Sequence, residues 1–314
     1  MDISLLKALD LINQSEVVAV PTETVYGLAA SLFKPAGIEK IFALKGRPAN
    51  NPLIIHVADI NDILPYLLHH EPNFFKLADA FWPGPLTLVL PIIEDKIPAK
   101  ARAHLTTAAF RIPNHPLAIE LLKLTGPLVM PSANISGRPS ATNRQHVETD
   151  FGLDFPVLDG GQCVKGLEST ILYQDPTDPA NPIKIIRQGA LSQEDIFKVI
   201  GINAEIILPK NNETPLCPGQ LYRHYAPKAK LILTTTIPDS YNGVIVGYEN
   251  RKYPLGCTLY SLGDSSKPES ISKNLYSVLR KLDEMHIKEA LVDIDIPNAN
   301  LFATILERLK KASS

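Results

Sequence analysis

The chain has 314 residues, more than one average domain requires and enough for two. A hydrophobic fraction of 45%, a charged fraction of 20% and a net charge of −2 describe an ordinary globular protein and exclude a bulk electrostatic binder of nucleic acid. No apolar run reaches the roughly 20 residues of a membrane span, and Met1-Asp2-Ile3-Ser4 lacks the basic start of an export signal, so export is not expected.

The predicted elements begin with an amphipathic helix over 2–14, with Leu5, Leu9 and Ile12 on one face. Val17 to Val20 is a short apolar run stopped by Pro21 and reads as a buried strand. A helix over 38–44, a strand over 53–57 and a helix over 73–82 follow, the last ended by Pro83-Gly84-Pro85. Strands are expected at 86–90, 108–112, 128–130, 169–173 and 183–186, with helices at 117–124 and 192–200. Ser192 suits the N-cap of that last helix, and Glu194-Asp195 its first turn. Interleaving of this kind without a regular βαβ period favours an α/β fold with an open, mixed sheet and helices packed on it. Residues 201–229 hold Pro209, Pro215, Pro218 and Pro227 with little periodicity and read as a connection. Beyond it, strands at 231–233, 244–246, 258–260 and 290–294 and helices at 271–285 and 300–310 make a small α/β domain over 230–314.

Cys163, Cys217 and Cys257 are too far apart for a zinc motif or a disulfide framework, which suits a reducing cytoplasm. The eight histidines form no metal-binding motif, and no protein-built metal site is expected. Gly161 and Gly166 have phosphate-loop spacing, but Leu167-Glu168 stands where Lys-Ser/Thr belongs. Any nucleotide must therefore be held by another device.

Several loops and one strand arginine offer that device. Pro21-Thr22-Glu23-Thr24-Val25-Tyr26-Gly27 crowds hydroxyls, a carboxylate and a phenol after the first strand, where α/β folds place ligand groups, although a polar turn would look the same. Lys45-Gly46-Arg47 pairs a point charge with a planar fork, a combination suited to phosphates. Arg111 interrupts an apolar strand and must either face solvent or meet an anion in a pocket; the alternation permits both. Pro131 to Arg138, Ser169-Thr170 and Arg187-Gln188-Gly189 add small hydroxyls, two amides and two more guanidiniums. No Ser-His-Asp set, activated thiol or carboxylate pair stands out. The inventory points to catalysis by positioning and charge neutralisation, as in phosphoryl and nucleotidyl transfer.

Pro-Thr-Glu-Thr-Val-Tyr-Gly-Leu, Lys-Gly-Arg-Pro-x-x-Asn-Pro-Leu, Phe-Trp-Pro-Gly-Pro-Leu-Thr, Ser-Ala-Asn and Glu-Ser-Thr occur here in the order in which the YrdC/Sua5 family carries them. Residues 3–200 resemble its catalytic domain, and Pro218 to Pro227 resembles the linker of the longer Sua5 branch. The resemblance implies a YrdC-like catalytic domain over 1–200 with an open twisted mixed sheet. A linker over 201–229 would close over the active site, ahead of a small Rossmann-like Sua5 domain. It implies an activity that joins L-threonine, bicarbonate and ATP into threonylcarbamoyl-AMP, releasing pyrophosphate, for the threonylcarbamoyl-adenosine modification of tRNA. Mg2+ would arrive with ATP; a transferase complex and tRNA would be partners, and no membrane is involved.

By the same resemblance, threonine would be held by Thr24, His56, Arg111, Ser132 and Ser169, with Arg111 forking onto its carboxylate. ATP would be held by Arg47, Asn51, Thr107, Asn134, Thr142, Arg187 and Tyr225. Lys45 and Arg47 would neutralise the phosphates, and Tyr222, Arg223 and His224 would help the linker fold over the nucleotide. The stretch from Gln174 to Pro182 is longer than the family pattern expects, which loosens the alignment from Ser169 to Arg187. The alternatives are a non-catalytic double-stranded RNA- or tRNA-binding module, or a carbamoyl-transfer protein with another donor. Proteins of the second kind carry acylphosphatase and zinc-finger segments, and neither is present here.

Overall fold

The computed structural model describes residues 1–48, 50–175, 178, 182–207 and 224–314. Cys217, Tyr222 and Arg223, and with them most of the expected linker, lie outside the described residues.

The larger sheet is built from β1 (Val18–Val20), β2 (Gly27–Ser31), β3 (Ile54–His56), β4 (Leu86–Pro91), β5 (Thr107–Arg111), β6 (Leu128–Val129), β7 (Thr170–Gln174), β8 (Ile183–Arg187) and β9 (Glu205–Ile206). Their spatial order is β1-β2-β6-β3-β5-β4-β7-β8-β9, with parallel and antiparallel pairs mixed. Around it pack α1 (Leu5–Asn13), α2 (Pro35–Lys45), α3 (Pro72–Phe81), α4 (Pro116–Thr125), α5 (Arg144–Phe151) and α6 (Gln193–Ile200). Their ends are set locally: Ser4 and Asn143 cap α1 and α5, Pro occupies the first turn of α2, α3 and α4, and Ser192 with Asp195 closes a capping box on α6.

Strand alternation divides the core. Leu28, Ala30, Ile55, Phe110, Leu88, Leu172, Ile183 and Ile185 face one continuous apolar layer with α2, α3 and α6. The opposite face carries two smaller clusters. Val18, Val20, Ala29 and Leu128 pack under α1 and α4, while Ile54, Val89, Ala109, Ile171 and Ile186 form a separate patch. Between these two clusters the sheet is uncovered by helices of its own, and polar side chains gather there.

The expected elements are present with ends moved by a few residues; β2, α5 and β9 are additions. β2 reads Gly-Leu-Ala-Ala-Ser, without the β-branched residues that mark strands, and α5 has only Val147 and Phe151 as large apolar residues. β9 pairs in parallel with β8, so the stretch expected to be a connection begins inside the sheet.

The second sheet is parallel throughout, in the order β10 (Lys230–Thr234), β13 (Glu289–Asp293), β11 (Val244–Gly247), β12 (Thr258–Ser261). α7 (Pro268–Glu284) and α8 (Asn300–Ser313) cover it and face the first sheet's loops. Their apolar residues share a core with Val25, Leu167 and Tyr225. Among the described residues no helix is long and apolar enough to cross a membrane.

Candidate active site

The uncovered stretch of the large sheet is the floor of a narrow cleft that opens to solvent. Period-two geometry puts His56 on the face of Ile54, and Arg111 on the face of Ala109, so both point into the cleft. Arg187 needs a further device. Simple alternation would set it beside Ile183 and Ile185 in the apolar layer. A register shift between Ile171 and Leu172 places Arg187 opposite Ile171, on the cleft face.

Arg111 is buried and held on two sides. Its Nη2 donates to Glu23 at 2.7 Å and its Nε to the Gly84 carbonyl at 3.1 Å, while the second Glu23 oxygen accepts from the Asn114 amide. Neither bond uses Nη1, so one edge of the fork is left for an anion. His56 lies beside it. Burial, reinforced by the Arg111 charge, pushes its pKa well below the ordinary imidazole value. The neutral ring donates Nδ1–H to the Ile54 carbonyl at 3.3 Å, which leaves Nε2 as an acceptor.

Ser169 and Arg187 form a second group: Arg187 donates to the Ser169 carbonyl and hydroxyl, and the Ser169 hydroxyl meets Thr87 at 2.7 Å. Ser132 and Asn134 come from the loop after β6. Lys45 runs beneath that loop, 2% exposed, with its ammonium donating to the carbonyls of Ser132 at 2.5 Å and Asn134 at 2.6 Å. Burial, together with the charge of Arg47, pulls its pKa well below the ordinary lysine value. Arg47 reaches the rim and is braced by Asn51, whose side chain and carbonyl both accept from it.

Two buried polar atoms lining the cleft have no partner among the described residues: Asn134 Oδ1 and His224 Nε2. Buried groups of this kind are rare unless a ligand completes them. Burial, followed by the charges of Arg47 and Lys311, brings the His224 pKa down to about 3, so its ring is neutral.

The cleft thus brings together Arg47, His56, Arg111, Ser132, Asn134, Ser169, Arg187 and Tyr225. Five expected residues do not line it. Thr24 is fully buried with its hydroxyl on Thr22, Lys45 is under the floor, and Asn51 stands behind Arg47. Thr142 bonds His146 and Ser277, and Thr107 opens β5 four residues, about 13 Å of strand, before Arg111. Two carboxylates take roles that the sequence reading did not assign. Glu23, counted there among the polar groups after the first strand, anchors Arg111, and Glu168, read only as part of the Glu-Ser-Thr pattern, lines the wall. Among the described residues no three His, Cys, Asp or Glu side chains converge as a metal site requires.

Comparison with known proteins agrees with this geometry. Residues 10–189 match the Sua5/YciO/YrdC family model, described as telomere recombination, and residues 191–314 match the model of the threonylcarbamoyl-AMP synthase C-terminal domain. The chain is similar to the threonylcarbamoyl-AMP synthase of Bacillus subtilis, 36% identical over 99% of this chain and 93% of that protein. It is equally close to that of Pyrococcus abyssi, 36% identical over 98% and 93%. The crystal structure of P. abyssi Sua5 complexed with L-threonine superposes with a TM-score of 0.88 at 35% identity, covering 100% of this chain and 96% of that one. The chain therefore belongs to the Sua5/YciO/YrdC family and carries the C-terminal domain of its Sua5 members.

Proposed function

We propose that the protein is a threonylcarbamoyl-AMP synthase, an AMP-transferring enzyme that consumes L-threonine, bicarbonate and ATP and supplies tRNA threonylcarbamoylation. The observation that carries this reading is the end-to-end likeness to a protein solved with L-threonine, combined with a cleft that offers a half-used guanidinium beside a neutral imidazole.

Arg111 takes the threonine carboxylate on its remaining edge, and Glu23 fixes the plane of the fork. His56 Nε2, Ser132 and Ser169 accept or donate to the amine and hydroxyl. The amine nitrogen bonds to the carbon of bicarbonate-derived CO2 and loses a proton, giving a carbamate. A carbamate oxygen then bonds to the α-phosphorus while the bond to the pyrophosphate oxygen breaks. Arg47 and Arg187 meet the phosphate charge, and Asn134 Oδ1 with His224 Nε2 supplies acceptors for the nucleotide. Mg2+ enters as part of the ATP substrate, and Lys45 supports the loop that carries Ser132 and Asn134. Tyr225 closes the wall and helps exclude water from the labile carbamate.

Pyrophosphate release from ATP and Mg2+ is expected only with both threonine and bicarbonate present, and not with serine or alanine in place of threonine. Release without threonine would assign the fold to another acceptor. No release, with tRNA bound in a salt-dependent way, would favour the RNA-binding reading.

A further inference from the structure

The C-terminal sheet has no side chain of its own on the cleft floor, yet two of its helices reach the cleft wall. Glu168, 6% exposed, accepts from three donors, one of them shared between its two oxygens. One hydrogen bond comes from Ser140 of the cleft loop at 2.7 Å. The others come from the Tyr276 hydroxyl on α7, at 2.8 and 3.1 Å to its two oxygens, and from Arg308 Nε on α8 at 3.1 Å. Burial alone would raise the Glu168 pKa, but Arg308 and Arg187 outweigh it and hold the carboxyl below its ordinary range, so it stays ionised.

Arg308 does more than balance that charge. It is 1% exposed, and its Nη2 donates to the Gln188 carbonyl at 2.6 Å, one residue past Arg187. Thr304, one helical turn earlier on α8, donates to the Gly189 carbonyl. One guanidinium thus spans the residue before Ser169 and the residue after Arg187. Its flat face lies 4.8 Å from the centre of the Tyr225 ring, and Tyr276 stacks on the same ring at 5.4 Å. Tyr225 holds a left-handed backbone, φ 66°, which a non-glycine residue keeps only where its surroundings impose it. The next residue, Ala226, donates its amide to Gly137 of the cleft loop.

We propose that Tyr276 and Arg308 are positioning residues of the nucleotide side of the cleft, acting through Glu168 and Tyr225. The C-terminal domain is in that sense part of the site: it sets the spacing of Ser169 and Arg187 and holds Tyr225 as a wall. The proposal rests on the reading of this cleft as an ATP site.

Other bonds between the two sheets make a control. The Ser272 hydroxyl on α7 lies 2.9 Å from the Lys165 carbonyl and 3.0 Å from the Glu269 carbonyl, and takes no part in the hydrogen bonds to Glu168 or the ring contacts of Tyr225. Full-length Tyr276→Phe, Arg308→Lys and Ser272→Ala are compared with the unaltered chain. The readouts are calorimetric Kd for a non-hydrolysable ATP analogue, KM for ATP and for threonine, and thermal midpoint. Tyr276→Phe keeps the ring and its stack and loses only the hydroxyl. A simple docking role would make the three variants alike. We expect Tyr276→Phe and Arg308→Lys to weaken analogue binding and raise the ATP KM by about fivefold or more, with Ser272→Ala within about twofold. Analogue affinities unchanged in the first two, or weakened equally in Ser272→Ala, would overturn the proposal. So would failure of the unaltered chain to bind the analogue. An unaltered chain that binds the analogue but releases no pyrophosphate would sink the proposed reaction alone, and the affinities would still decide the positioning role.

Discussion

Replacing Arg111 by Lys isolates what the guanidinium contributes to threonine. Arg111 and Glu23 are each 5% exposed and 2.7 Å apart. Removing the cation altogether would strand a buried carboxylate, at a cost of about 3–5 kcal/mol, a large share of a typical total stability of about 5–15 kcal/mol. Lysine keeps the charge that Glu23 needs. Its single ammonium cannot also reach the Gly84 carbonyl and fork onto a substrate carboxylate. The loss is one charge-assisted hydrogen bond, about 1.5–3 kcal/mol, or roughly a 10- to 150-fold rise in threonine KM. Initial rates of pyrophosphate release are measured across a threonine series at saturating ATP, and across an ATP series at saturating threonine. The ATP KM is expected to stay within about threefold. Equal rises in both, or an unchanged threonine KM in a folded variant, would refute the carboxylate assignment.

Lys45→Met removes the two bonds that hold the Ser132 and Asn134 carbonyls, costing about 2–4 kcal/mol in urea unfolding, and raises KM for both substrates together. A rise confined to ATP would instead put the Lys45 ammonium on the phosphates. His146 and His224 each have a pKa brought down to about 3, mainly by burial, and His56 is lowered in the same direction. A folded pKa below the unfolded one means stability present above the unfolded value near 6.5 and lost as pH falls toward 3, about 2 kcal/mol for each of His146 and His224 by pH 5. Urea midpoints at pH 7 and 5 test this, and equal midpoints would contradict it. Gly166→Ala should loosen the contact between the sheets: φ is 70°, and a Cβ would stand 2.4 Å from the Ser272 carbonyl oxygen. A lowered thermal midpoint is expected, and an unchanged one would contradict the close approach.

The sequence carried the fold where apolar runs were bounded by Pro or Gly. β1 before Pro21, α3 before Pro83 and the capped α6 stand within a few residues of expectation. It carried less where local signals were weak. The Gly-Leu-Ala-Ala-Ser strand has no β-branched residue, and the short α5 is mostly polar. For the site, residue type was enough to single out Arg111, but its direction depends on the pairing of β5 with β3 and β4. Arg187 depends on a register shift that no local pattern announces. Lys45 looked like a phosphate ligand because its charge is visible in sequence, whereas the two carbonyls above it are visible only in the fold. Arg308 was hidden for the same reason. On the apolar side of α8 it resembles any surface arginine until Glu168, far away in sequence, is placed against it.

The most direct test of the account supplies isotopically labelled bicarbonate with ATP, Mg2+ and L-threonine, and follows the products by mass spectrometry. The account predicts one labelled carbon in an adduct of threonine and AMP, formed only when all three substrates are present. ATP turnover with the label absent from any threonine adduct would contradict it.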